Sequence, residues 1–314
     1  MSGRRIVSYA LMFLAALLNS PSYAGQQTLA DEMVVVRFDE PLLSAAREVI
    51  RIYPGIRAEL ERELGFSTVF RPEVILMKDS ASFRKTAESD LVTAFALPQK
   101  NLMVIDYARM HTHPFTLGTT LKHELCHLEL HYHIRDRKLP RWFDEGICQW
   151  ATGGLAEIMT DGNRSVLRDA TLSSRIIGIR RLSELFAGGG RDLLLAYEES
   201  KSIIEYIEKE FGATGIRGIV KHMAEGDQLE DAVQKSLMIS LDQLEERWRS
   251  SLVEKTSWFS YVGDNIYEIL FLFGALLTLF GFVRMLNRKR AYKDEDEEPW
   301  DEDGGEQNPP PSGH

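Results

Sequence analysis

Apolar positions between residues 33 and 105 fall into short β-branched runs around one long segment of helical periodicity. Met33 to Phe38 (MVVVRF) predicts a first strand, and Val74 to Met77 a second. Between them, Pro41 to Leu64 carries Ala45, Val49, Ile52 and Ile56 on one face, which predicts a helix that stops at Gly65. Residues 79–90 read as a loop and a short helix. Thr93 to Leu97 and Leu102 to Ile105 flank Pro98-Gln99-Lys100-Asn101 and predict a hairpin. The period then changes. Leu121, Leu125 and Leu128 recur at i, i+4 and i+7 and predict a helix over roughly 116–133. Leu139-Pro140 interrupts it before a second helix. From about residue 170 the pattern is helical: Leu193 to Phe211, striped by Ile203, Ile204 and Ile207, ends at Gly212, and Ile216 to Glu225 ends at Gly226. Leu229 to Leu237 and Leu241 to Leu252 follow, the last opened by a capping box of Ser240 and Gln243. There is no internal repeat. The chain therefore reads as α+β, a small N-terminal strand–helix lobe followed by an all-helical lobe.

Two apolar runs lie outside this body. Ile6 to Leu18 follows Arg4-Arg5 and precedes Ser22-Tyr23-Ala24, small residues at the positions a signal peptidase reads. The run is short for a bilayer span, which favours a cleaved signal over residues 1–24 against an uncleaved anchor. Ile266 to Val283 carries Glu268 as its one charge, and its 18 residues of helix rise about 27 Å, close to the hydrocarbon thickness of a bilayer. Trp258, Tyr261 and Tyr267 cluster at its start. Arg284, Arg288, Lys289, Arg290 and Lys293 follow it, which places that end in the cytoplasm by the positive-inside rule. The expected organisation is a signal over 1–24, a body over 25–258, a transmembrane helix over 266–283 and a cytoplasmic, acidic, Pro-rich disordered tail over 284–314.

Charge changes the picture little. The net charge of −10 is concentrated in Asp294 to Glu306, nine acidic residues without a basic one, so the rest of the 314 residues carries about one negative charge. No basic face for nucleic acid remains.

The candidate chemistry lies in His123-Glu124-Leu125-Cys126-His127. Residues i and i+4 of a helix share a face, so two imidazoles there can hold one metal ion with Glu124 beside the open position. The histidines lie off the face marked by the leucines. A hydrolytic zinc site needs three protein ligands and a water. Glu145, 18 residues after His127 in Trp142-Phe143-Asp144-Glu145-Gly146, offers the third; His133, six residues after His127, offers an alternative. His131 lies a turn beyond His127, about 6 Å along the axis, too far to join the same tetrahedron. His111 and His113 belong to the loop before the helix, as cleft-lining or solvated groups, and His222 and His314 to the surface.

Together the two motifs resemble the gluzincin pattern of thermolysin-like and aminopeptidase-like metallopeptidases, and more narrowly the bacterial peptidase MA-like family, in which W-[FL]-x-E-G follows the H-E-x-x-H helix at about this distance. The metzincin pattern would use His133, but it needs Gly at position 130, where this chain has Leu130. The resemblance implies a thermolysin-like domain with its cleft between the lobes and one zinc ion on His123, His127 and Glu145. It implies peptide-bond hydrolysis by a zinc-bound water with Glu124 as general base. Tyr197, or else Tyr206, would donate to the oxyanion, against the alternative of a tyrosine packed into the bundle. Asp144 would accept from a zinc-bound imidazole, and the hairpin at 93–105 would pair with substrate through Phe95 and Leu97 or serve structure alone. Small residues are usual in the family where Cys126 and Cys148 stand. Their paired replacement implies neighbouring positions, as a disulfide or as two buried thiols. The expected protein is a single-pass bacterial inner-membrane zinc metallopeptidase, of endopeptidase type, acting in the periplasm on a peptide or protein of the envelope. The rival is a non-catalytic envelope binding or scaffold protein that keeps the fold.

Overall fold

The computed structural model describes residues 26–87, 92–112, 115–134, 139–153, 166–255 and 265–295. The expected signal, Trp258, Tyr261, His113 and the tail from 296 onward lie outside the described residues. The chain divides into two compact units between Glu254 and Lys255.

The first unit contains one five-stranded sheet: β1 (Gln26–Ala30), β2 (Val35–Asp39), β3 (Glu73–Met77), β4 (Ala94–Leu97) and β5 (Leu102–Asp106), in the order β1-β2-β3-β5-β4. The three central strands run parallel, and β1 and β4 add antiparallel edges. Helix α1 (Leu43–Leu64) supplies the crossover from β2 to β3, and Gly65 ends it in the left-handed region at φ 80°, as a glycine C-cap does. The predicted hairpin is present, with Leu97 paired to Leu102. Strand β1 is an element the hydrophobic pattern did not show. Its sequence, QQTLA, lies at an exposed edge and has no buried residue. It is turned onto β2 by the Asp31 carboxylate, which accepts from the backbone N–H of Met33 at 2.7 Å and of Val34 at 2.8 Å.

Alternation along the strands divides the sheet into two faces. Ile75, Phe83, Phe95 and Val104 pack together under α2 (Ser80–Ala87), and Val74, Leu76, Ala94, Met103 and Ile105 join the main core. Phe95 therefore packs on Phe83, 5.7 Å between ring centroids, on the α2 side of the sheet. Beneath the other face run α1 and α3 (Leu117–His133), and α4 (Arg141–Thr152) packs on α3. Thr116 caps α3 by accepting from the N–H of Thr119, and Pro140 precedes the first turn of α4, where a missing N–H costs nothing. Gly153, at φ 69°, ends α4.

Among the described residues, the remaining α-helices of this unit are α5 (Val166–Leu172), α6 (Ile179–Leu185), α7 (Arg191–Ala224), α8 (Leu229–Leu237) and α9 (Leu241–Lys255). Helix α7 is continuous except at Gly212, where φ 70° kinks it at the break the sequence predicts. The capping box of α9 is formed in both directions: the N–H of Gln243 donates to Ser240 Oγ, and the N–H of Ser240 to Gln243 Oε1. Trp248 of α9 is buried and donates its indole N–H to Ser202 Oγ of α7.

The second unit contains α10 (Ile266–Glu295). Its stretch Ile266–Leu286 is long and apolar enough to cross a membrane and exposes its side chains to their surroundings. At 21 residues it rises about 31 Å. The helix runs twelve residues past the expected end of the span at Val283, to Glu295.

Candidate active site

Helix α3 is buried all round from Thr120 to Leu130, so His123 and His127, although off the leucine face, are not on an exposed one. Helix α4 covers that second face. On its other side α4 packs closely on α7, because residue 146 is glycine: a Cβ there would meet the carbonyl oxygen of Ser200 at 2.7 Å and Ile204 Cγ1 at 2.9 Å. The absence of a side chain at Gly146 thus lets α4 lie directly against α7, and Gln149 ties the pair by donating to the carbonyl of Tyr197 at 3.2 Å.

This packing brings three Lewis bases from two helices to one point. His123 Nε2 and His127 Nε2 are 3.1 Å apart, and Glu145 Oε2 lies 3.6 Å from the second and 3.9 Å from the first. The three residues form one of the groups able to hold a metal ion, and all three are buried. Tetrahedral zinc with N and O ligands at about 2.0–2.2 Å keeps neighbouring ligand atoms about 3.3–3.5 Å apart. The triangle is close to that size, so these three residues could hold such an ion. Glu124, one residue after His123, is fully buried in the same turn.

The orientation of His127 has an identifiable cause. Its Nδ1 lies 2.8 Å from Asp144 Oδ1. Burial pushes the Asp144 carboxyl upward, but the charges and hydrogen bonds of His127 and His131 outweigh this and hold it well below the usual carboxylate range. An ionised carboxylate only accepts, so Nδ1 carries a hydrogen, and Nε2 is the nitrogen that offers a lone pair toward His123 and Glu145 when the ring is neutral. The second oxygen of Asp144 takes His131 Nε2 at 2.9 Å. His131 thus belongs to the carboxylate that orients a ligand, a role the sequence reading did not give it. The clue was available: H-x₃-H-x₃-H places the third imidazole one turn on, and Asp144 is adjacent to Glu145. Another group able to hold a metal, His127, Asp144 and Cys148, includes a sulfur engaged elsewhere: Cys126 and Cys148 are joined in a disulfide, with Cα atoms 5.5 Å apart.

Tyr197 of α7 reaches the site, its buried hydroxyl 3.3 Å from Glu145 Oε1 and its ring edge-on to Phe186 at 5.1 Å. The same carboxylate oxygen faces the guanidinium of Arg141 at 3.6 Å, and Arg141 also lies over the Phe186 ring at 4.9 Å. Tyr206 sits about two and a half turns further along α7, where burial raises its hydroxyl pKa and Glu210 raises it further. His133 is engaged elsewhere: α3 continues through Leu130 as helix, and the His133 ring stacks on Phe66 at 4.2 Å, 3.5 Å from Glu129. His111 lies in an exposed position against the Tyr107 hydroxyl at 3.0 Å.

A histidine pair on one helix, a glutamate from the next and a carboxylate behind one imidazole define the class as metallopeptidase type. The chain belongs to the peptidase MA superfamily, whose family model matches residues 78–254, from the end of β3 to α9. No curated protein matches the chain. Among solved structures, native yeast LTA4 hydrolase is similar at 12% identity and a TM-score of 0.43, over 78% of this chain and 42% of that one. This chain thus spans less than half of that protein's length.

Proposed function

We propose that this protein is a membrane-anchored, extracytoplasmic zinc endopeptidase, with His123, His127 and Glu145 as the zinc ligands. The observation that carries this reading is the convergence of three buried bases within 3.1–3.9 Å of one another, one of them oriented by an ionised aspartate. A bound zinc ion supplies Lewis acidity, which acidifies water and polarises a carbonyl at neutral pH. Glu124 takes the proton of the attacking water and passes it to the departing amine. Asp144 keeps His127 in the tautomer whose Nε2 is a base. Tyr197, whose hydroxyl donates toward Glu145, supplies a hydrogen bond to the developing oxyanion. The apolar helix Ile266–Leu286 and the basic residues that follow it in sequence support an inner-membrane anchor, with the body in a bacterial periplasm and the C-terminus in the cytoplasm. The substrate is then a peptide or protein of the envelope.

The full chain in detergent micelles, incubated with a library of unfolded protein substrates, is the test. Internal cleavage should appear, stop with a chelator and return with zinc. Cleavage indifferent to chelation, or none by the zinc-loaded chain, would defeat the proposal and favour a binding protein. The role of Tyr197 is tested separately. Tyr197→Phe should lower kcat on the order of 10²-fold with KM little changed, because a donor that acts on the oxyanion contributes chiefly to the transition state. An unchanged kcat would return Tyr197 to a packing role.

A further inference from the structure

We propose that the Cys126–Cys148 disulfide is a clamp on the ligand triangle, and that it sets how tightly the chain holds its metal. This rests on the zinc reading above. Cys126 lies three residues after His123 and one before His127, and Cys148 lies three residues after Glu145. The bond therefore joins the two ligand-bearing helices at the level of the ligands themselves. Both cysteines are fully buried, their Cα separation of 5.5 Å is ordinary for a disulfide, and Cys148 Sγ lies 3.6 Å from His127 Nδ1, against the ring that Asp144 orients.

Two ligands share α3 and keep their spacing through the helix itself. The third comes from α4, and its distance to the pair depends on how the two helices lie against each other. The packing of α4 on α3, the Asp144 contacts to His127 and His131, and the disulfide all act on that distance. A covalent tie here lets the chain meet the cost of assembling the ligands during folding rather than on metal binding, which raises affinity.

A disulfide with only a structural role behaves differently. Closing a segment of 22 residues acts chiefly on the unfolded chain and stabilises the metal-free and metal-loaded protein alike. Zinc affinity, and the rise in Tm that zinc adds, separate the two roles.

The experiment compares the full chain in detergent with the Cys126→Ala/Cys148→Ala variant, by zinc titration against a competing chelator and by thermal unfolding with and without zinc. The variant should bind zinc on the order of 10–100-fold more weakly, the loss typical when a group that orients metal ligands is removed. The rise in Tm on adding zinc should shrink with it. Equal zinc affinity, with Tm lowered by the same amount in both states, overturns the clamp and leaves the zinc site standing. Absence of zinc binding by the native chain overturns the functional reading itself. A second arm uses the native chain and does not depend on the variant folding. A water-soluble phosphine reduces the disulfide, with one water supplying the oxygen of the phosphine oxide and the protons of two thiols. Zinc release to a chromophoric chelator should quicken at constant helical circular dichroism and slow again on reoxidation with oxidised glutathione. Release that is unchanged or slower, or that comes only with loss of helical signal, overturns the proposal.

Discussion

The Glu124→Gln chain is expected to keep its zinc and lose hydrolysis, with turnover falling on the order of 10²–10⁴-fold, the usual contribution of a positioned general base. Glutamine matches glutamate in size, and residue 124 is fully buried in α3, so the substitution leaves the turn carrying His123 and His127 intact. What disappears is the basic oxygen that takes a proton from water. Glu124 is not a ligand in the proposed set, so metal content, read by elemental analysis of the purified chain, should equal that of the wild type. Undiminished cleavage would remove Glu124 from the chemistry. Zinc lost together with activity would mean that the change disturbs the site rather than its base.

The Glu145→Ala chain should fail one step earlier, at metal retention. Removing an outer partner of a ligand costs about 10–100-fold in metal affinity, and removing a ligand costs more. Linkage turns this into a stability readout. At a free zinc concentration 100 times the wild-type Kd, binding stabilises the fold by about 2.7 kcal/mol, and a 100-fold weaker site retains about 0.4 kcal/mol of that. Thermal unfolding at fixed zinc should therefore show most of the zinc-dependent rise in Tm vanish, while metal-free Tm values are compared as the control. Full zinc retention by this variant would mean that other groups hold the ion, with His127, Asp144 and His131 the first to examine.

Much of the architecture was legible because local chemistry and tertiary packing agree. The glycine stop at Gly65, the break at Gly212, the hairpin across residues 98–101 and the capping box at Ser240 all stand where short-range rules place them. What escaped lacks such a signal. Strand β1 is polar and exposed, and pairing with β2 rather than hydrophobic patterning makes it a strand. Phe95 sits on the sheet face covered by α2, a choice set by strand register that the alternation of apolar residues leaves open. The leucine stripe correctly marked one buried face of α3 but gave no sign that a second helix buries the histidine face as well.

The sequence by itself determined which residues share a helix turn, because i and i+4 are neighbours in any α-helix; the pairing of His123 with His127 and the adjacency of Glu124 follow from that alone. Only the tertiary structure decided what meets them. Glu145, Asp144 and Cys148 come from α4, and Tyr197 from α7. Their approach depends on helix-to-helix distances, which no local period encodes. A glycine at 146 permits the approach of α4 to α7, and a disulfide ties α4 to α3.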